Sequence, residues 1–334
     1  MQHMARVVVA ALVLALAAAA PAGATFPGRN GNLLVTYDNG QYKYFSQSFT
    51  LWKIAPRTGR VRWILICGAS ALIQDVASRC RNAGPPAASP DGETAAVMVR
   101  DQPERPEDPA NRWSIRLISL ETGLQTRVAL APSDRLFLPL STPALRWWQG
   151  GDGFVVLRAL APWDGKTRLS DWEPGQALLV ASDGSAATEL TTSAAAPDVA
   201  ADGRLAFVRD RNVHIRDASG TVRPLTRGGG FHPSWSPGGR FIAFSRRGHV
   251  FVVRSSGGKP RRLARGTDPV WSPDGTQIAF FRRALSGEEW TYLYVLSRRT
   301  GRVRRVSDQV FDFHDDWGTG ASAGLDWQPL PAAP

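Results

Sequence analysis

Two polar residues occupy matching places, thirty-six residues apart, each directly before a proline: His232 in His232-Pro233 and Asp268 in Asp268-Pro269. A third group of the same chemistry follows near the C-terminus, with Asp312, His314, Asp315 and Asp316 inside five residues. Carboxylates beside imidazoles can hold a cation, orient a polar ligand or move a proton. No spacing here matches an EF-hand or a zinc motif, so no resident metal or other cofactor is expected beyond a cation at these groups. His and Asp at loop starts also serve as plain turn formers. Gly320-Ala321-Ser322-Ala323-Gly324 fits a Gly-x-Ser-x-Gly pattern, but a nucleophile elbow needs a strand before it and a helix after it, and no helix pattern follows. No phosphate loop, dinucleotide fingerprint or His-Glu-x-x-His occurs, and no catalytic residue is assigned. The two cysteines, Cys67 and Cys80, lack Cys-x-x-Cys spacing. One disulfide is the simplest reading for an exported chain, with a metal pair or two free thiols as the alternatives. Such a bridge would close a loop of about a dozen residues, worth on the order of 3 kcal/mol.

The elements that position these groups are set by a repeat. Pro233-Ser234-Trp235-Ser236-Pro237-Gly238-Gly239 through Phe244 recurs as Pro269-Val270-Trp271-Ser272-Pro273-Asp274-Gly275 through Phe280. An eroded copy runs from Pro197 to Phe207. A fixed period of this length indicates a repeat architecture. Ser, Pro and Gly at the first, second and fourth places of Ser272-Pro273-Asp274-Gly275 favour a type I turn. The apolar, β-branched segments that follow read as strands. Six turn sites are expected, at Asn30-Gly31, Asp91-Gly92, Asp152-Gly153, Asp202-Gly203, Gly238-Gly239 and Asp274-Gly275. Each precedes a second hairpin with Gly at its tip, from Thr58-Gly59 to Thr300-Gly301. The predicted fold is all-β: a six-bladed β-propeller of four-stranded antiparallel blades over residues 25–330, with a short tail at 331–334. One copy is split, its front half Leu325-Asp326-Trp327-Gln328-Pro329 and its back half Asn30 to Val35. Pairing the C-terminal strand with N-terminal strands would close the ring and remove its open edges. Trp235, Trp271 and Trp327 hold repeat positions and are expected to pack between blades.

The repeated Trp-Ser-Pro-Asp-Gly-x-x-Ile-Ala-Phe resembles the WD40-like repeat of TolB-type propellers, at full strength in residues 233–244 and 269–280. The resemblance implies an exported six-bladed propeller that acts mainly by binding other proteins. TolB itself carries an α/β domain ahead of the propeller, whereas the repeats here begin directly after the leader.

That leader is Arg6, an apolar run from Val7 to Ala20 and the small-residue site Ala22-x-Ala24, which reads as a signal peptide over residues 1–24. The run is short for a membrane span, and no later segment is a better candidate. A periplasmic or extracellular location follows, and nucleic acid is an unsuitable partner despite the net charge of +11. That charge is uneven: residues 203–305 hold 21 Lys plus Arg against 6 Asp plus Glu, a net +15. An anionic envelope polymer is therefore a candidate partner beside proteins.

Strand alternation puts the Pro-Asp-Gly turns and the Gly hairpins on one face. The other face receives the long insertions, 38–49, 100–112, 158–175 and 282–291, and the crossings 64–86 and 306–324. Loops on a rigid scaffold commonly carry function. These contain aromatics outside the repeat positions, among them Tyr42, Tyr44, Trp163, Trp172 and Trp290, which suit a partner surface. The reading is a monomeric, exported scaffold that binds a protein or peptide. The alternative is a channel-mouth glycan- or cation-binding protein, or a hydrolase or lyase, using His232, Asp268, His314, Asp315 and Asp316.

Overall fold

In the computed structural model, residues 26–38, 48–68, 80–101, 113–130, 145–148, 151–159, 175–284, 291–308 and 324–331 are described. Among them every regular element is a strand, and no helix is long and apolar enough to cross a membrane. The first three strands are β1 (Arg29–Asp38), β2 (Ser48–Ile54) and β3 (Val61–Gly68). A four-stranded sheet follows, of β4 (Cys80–Ala88), β5 (Thr94–Asp101), β6 (Trp113–Ser119) and β7 (Gln125–Ala129). Next come β8 (Leu145–Trp147), β9 (Gly153–Ala159), β10 (Gly175–Ala181), β11 (Ala187–Val199), β12 (Leu205–Arg209), β13 (Asn212–Arg216) and β14 (Val222–Pro224). The sheet β15 (Phe231–Trp235), β16 (Phe241–Arg246), β17 (His249–Arg254) and β18 (Arg261–Arg265) precedes β19 (Thr267–Trp271), β20 (Gln277–Arg283), β21 (Thr291–Ser297) and β22 (Val303–Arg305).

The last strand, β23 (Leu325–Leu330), pairs antiparallel with β1, Trp327 facing Leu33 and Asp326 facing Leu34, to complete the sheet β23-β1-β2-β3. The split repeat is thus rejoined in space. Asn30-Gly31 departs from expectation: it is no turn but part of β1, next to a bulge, because its partner strand comes from the other end of the chain. Gln328 secures the closure. Its Oε1 accepts from Asn32 N (3.2 Å) and Nδ2 (3.0 Å), and its Nε2 donates to Gly92 O on the next sheet at 2.6 Å.

Six separate four-stranded sheets are not observed. Four sheets have four strands, and β8 to β14 form one continuous seven-stranded sheet. The cause lies in β11: residues 187–194 pair with β10, residues 195–199 pair with β12, and no connecting loop lies between. One repeat later the corresponding crossing, from β18 to β19, is the single residue Gly266, with φ of +145°. A side chain there would put Cβ 2.3 Å from Phe280 Cδ2, so only glycine fits.

The strands β23, β4, β8, β11, β15 and β19 touch in sequence and return to β23, giving a closed ring of sheets about an axis. The core lies between neighbouring sheets. Trp235 is buried among Ala206, Val213 and Ile215 of the preceding strands and Ile242 and Phe244 of its own sheet. Trp271 repeats this against Val250 and Val252, and Trp327 against Leu293 and Val295. The turns form as their residues dictate: Gly239 N bonds Ser236 O at 2.8 Å and Gly275 N bonds Ser272 O at 2.8 Å. Ser272 Oγ also accepts from Gln277 N at 2.9 Å, fastening the turn to the strand it starts.

Candidate functional site

Alternation of strand direction places the Ser-Pro turns on one face of the ring and, on the other, the strand ends that lead into the long connections. The end of β7 and the start of β8, which residues 131–144 join, lie on that second face too. Tyr42, Tyr44, Trp163, Trp172, Trp290, His314, Asp315 and Asp316 lie outside the described residues. Cys67, at the end of β3, is buried, and no free thiol occurs among the described residues. Cys80 opens β4, paired with Asp101.

His232 and Asp268 are brought together. Their strands carry the same bulge, between Phe231 and Ser234 in β15 and between Thr267 and Val270 in β19. The residue before proline takes positive φ in each copy: 45° at Ala196, 47° at His232 and 53° at Asp268. Asp and His tolerate this conformation better than most residues. Bulges commonly re-aim a side chain. Here His232 Nδ1 meets Asp268 Oδ1 at 2.5 Å, with side chains 13% and 32% exposed. Partial burial alone would push the Asp268 carboxyl up; the His232 imidazole and hydrogen bonds from His232 and Thr267 outweigh it and hold it below the usual carboxylate range. Beside the pair is an open cavity of about 390 Å³ lined by Thr267, Asp268, Arg265, Arg282, Arg283 and Thr291 among others.

A second polar cluster lies inside the ring. The residue just before each inner-strand Trp position faces the neighbouring inner strand. Asp198 Oδ2 accepts from Trp235 N at 2.7 Å, Ser234 Oγ from Trp271 N at 3.2 Å, and Asp326 Oδ2 from Ala88 N at 2.8 Å. The equivalent residue of β8 is Arg146, whose Nε donates to Asp198 Oδ1 at 3.0 Å. Arg146, Asp198 and Asp326 line a cavity of about 30 Å³, room for a water molecule or two. Burial pushes the Asp198 carboxyl up to about 6, against the opposing pull of Arg146 and the Trp235 N–H. Asp326 is raised as well, chiefly by burial. These three residues carry no motif. Aligning the repeats and reading the position before Trp would have found them.

The nature of the ring is also borne on by its likeness to solved structures. No protein-family model matches the sequence. No curated protein matches it either. The structure is similar to TolB from Acinetobacter baumannii (TM-score 0.61, 15% identity, covering 90% of this chain and 67% of that one). It is similar to a putative TolB from Agrobacterium tumefaciens (0.55, 15%, covering 90% and 99%). The periplasmic gluconolactonase of Pseudomonas aeruginosa is a third such neighbour (0.51, 16%, covering 90% and 99%). At these identities the likeness speaks for the fold alone: this is an all-β protein with a TolB-like propeller fold.

Proposed function

We propose that the protein is an exported binding scaffold whose face of long connections holds a protein or peptide partner. What supports this is a segregation of strand ends: those joined by tight, hydrogen-bonded turns lie on one face, and those that lead into the long connections lie on the other. A rigid ring with long loops on one side suits recognition more than chemistry. Two solved neighbours called TolB and one called a periplasmic gluconolactonase lend support to an envelope or extracellular location. In this reading residues 1–24 are a cleaved signal peptide and 25–330 are a six-bladed propeller. The seven-stranded sheet then counts as two blades fused through β11, matching the six inner strands of the ring. A Cys67–Cys80 disulfide pins one crossing, and Tyr42, Tyr44, Trp163, Trp172 and Trp290 anchor the partner.

The test is capture from envelope and culture fractions by the purified mature chain and by a variant with residues 158–175 replaced by a short Gly-Ser linker. A discrete protein retained by the first and lost by the second is the expected result. Equal retention by both would count against the loop face.

The second reading is a small polar ligand at the channel mouth, favoured by the His232–Asp268 pair and the cavity beside it. The double variant H232A/D268A should then lose affinity for that ligand, as measured by calorimetry against glycan and divalent-cation panels.

A further inference from the structure

Three strand pairs, β12–β13, β16–β17 and β20–β21, repeat one device at the end of their first strand. In Phe207-Val208-Arg209, Phe244-Ser245-Arg246 and Phe280-Phe281-Arg282 a buried Phe stacks on the residue opposite it: His214 (centroids 5.8 Å apart), Phe251 (5.7 Å) and Tyr294 (6.0 Å). The Arg then caps the stack, 5.0 Å from the Phe207 ring centroid, 5.9 Å from Phe251 and 5.4 Å from Tyr294. Stacking holds a guanidinium in place while leaving N–H edges open to an anion. Arg209 is the exception, since its Nε and Nη2 already donate to Ser193 O, Thr191 Oγ1 and Thr192 O. All three Arg lie on the face of the long connections, at the strand ends remote from the Ser-Pro turns.

The hairpin tips add to the row. Asp210-Arg211 and Arg247-Gly248 are two-residue turns in which Arg211 has φ of 61° and Arg247 has φ of 49°. Such turns favour Asn or Gly, and arginine in the left-handed region costs on the order of 1 kcal/mol. The chain bears this cost at two tips of the same rim. Arg265, at the end of β18, joins Arg282 in lining the 390 Å³ cavity. Its one carboxylate among the described lining residues, Asp268, is engaged by His232.

We propose that this rim, Arg211, Arg246, Arg247, Arg265 and Arg282, is an anion-recognition crescent for an acidic peptide segment of the partner. The inference rests on the scaffold reading above and adds the chemistry of the partner. Guanidinium groups fixed in a row match the carboxylates of an extended Asp/Glu-rich segment. An acidic sugar polymer fits less well. Sugar rings pack on bare aromatic faces, and here the ring stacks are capped by arginine; among the described residues the exposed large apolar side chains are Trp63 and Leu124, neither on this rim. Gly248 and Gly266 line the same cavity, and Gly248 has no atom near its missing Cβ, which lets a peptide backbone approach.

The probe is a fluorescein-labelled oligoglutamate peptide, followed by anisotropy at low and high salt. A uronic-acid oligomer of equal charge serves as competitor. R246Q/R265Q/R282Q is compared with R240Q/R261Q/R302Q, which removes the same charge from the opposite face, and melting curves verify folding. R211Q/R247Q, at exposed hairpin tips, gives a second readout free of the ring stacks. The rim triple variant should bind roughly tenfold to a hundredfold more weakly, the tip variant severalfold more weakly, and the opposite-face variant nearly as wild type, since exposed ionic contacts contribute up to about 1 kcal/mol each. Equal loss in both triple variants would reduce the effect to net charge and overturn the proposal. Tighter binding of the uronic-acid oligomer would overturn the assignment to a peptide, and absence of peptide binding at low salt would overturn the crescent. Should the rim variant capture the same partner protein as wild type, the scaffold reading stands and this inference fails.

Discussion

Two acidic sites built on the inner strands behave in opposite ways. Asp198 and Asp326 sit inside the ring, where burial raises both carboxyls and Arg146 and backbone N–H groups hold them. Asp268 sits at the rim, where His232 and Thr267 lower its carboxyl and a third of the side chain meets solvent. The inner cluster joins β8, β11 and β23 and leaves space for little more than water. The rim pair borders an open cavity of about 390 Å³. Different inner strands of one ring therefore carry a buried polar joint, on β8, β11 and β23, and a partly exposed pair, on β15 and β19.

The largest effect that would break this contrast is Arg146→Met, which leaves two buried carboxylates without their cation. It should cost about 3–5 kcal/mol in denaturant unfolding, while His232→Ala should cost about 1 kcal/mol or less. Similar losses at both positions would remove the distinction.

Titration sharpens it. The folded Asp198 carboxyl, at about 6, lies above its unfolded value. Its favourable contribution is complete below about pH 4 and is lost as pH rises through about 6, by on the order of 3 kcal/mol. Asp268 has the opposite sign: its contribution is present above its unfolded value and fades as pH falls through its lowered one. Melting temperature measured across this range for D198N and D268N should show the first slope vanish in one variant and persist in the other.

Gly266→Ala comes next, at about 2 kcal/mol, from the left-handed backbone and the contact with Phe280. Ser234→Ala removes the acceptor for Trp271 N and should cost about 1 kcal/mol. Both are read from denaturant midpoints.

Much of the ring was legible in the sequence, because turn chemistry and period are local. Ser236, Ser272 and their glycines form the expected turns, Trp235, Trp271 and Trp327 pack between sheets, and the split repeat rejoins. The fusion through β11 was not legible. The run from Ser193 to Ala196 has no Gly to mark a crossing, and the register change is made by positive φ at Ser193 and Ala196. The Arg146–Asp198–Asp326 cluster escaped because one repeat position is filled by Arg, Asp and Ser in turn, so that its meaning emerges only where the strands converge. The Phe-x-Arg stacks escaped because the ring above each Phe comes from the next strand. His232 and Asp268 stood out by their matching positions, and the same bulge in β15 and in β19 brings their side chains together.

The proposed meeting of a partner with the face of long connections is tested by hydrogen exchange of the mature chain, alone and with a captured partner. Protection is predicted at residues 209–212, 246–249 and 265–268, with the turns at 236–240 and 272–276 unchanged. Protection at those turns instead, with the rim unaffected, would contradict it.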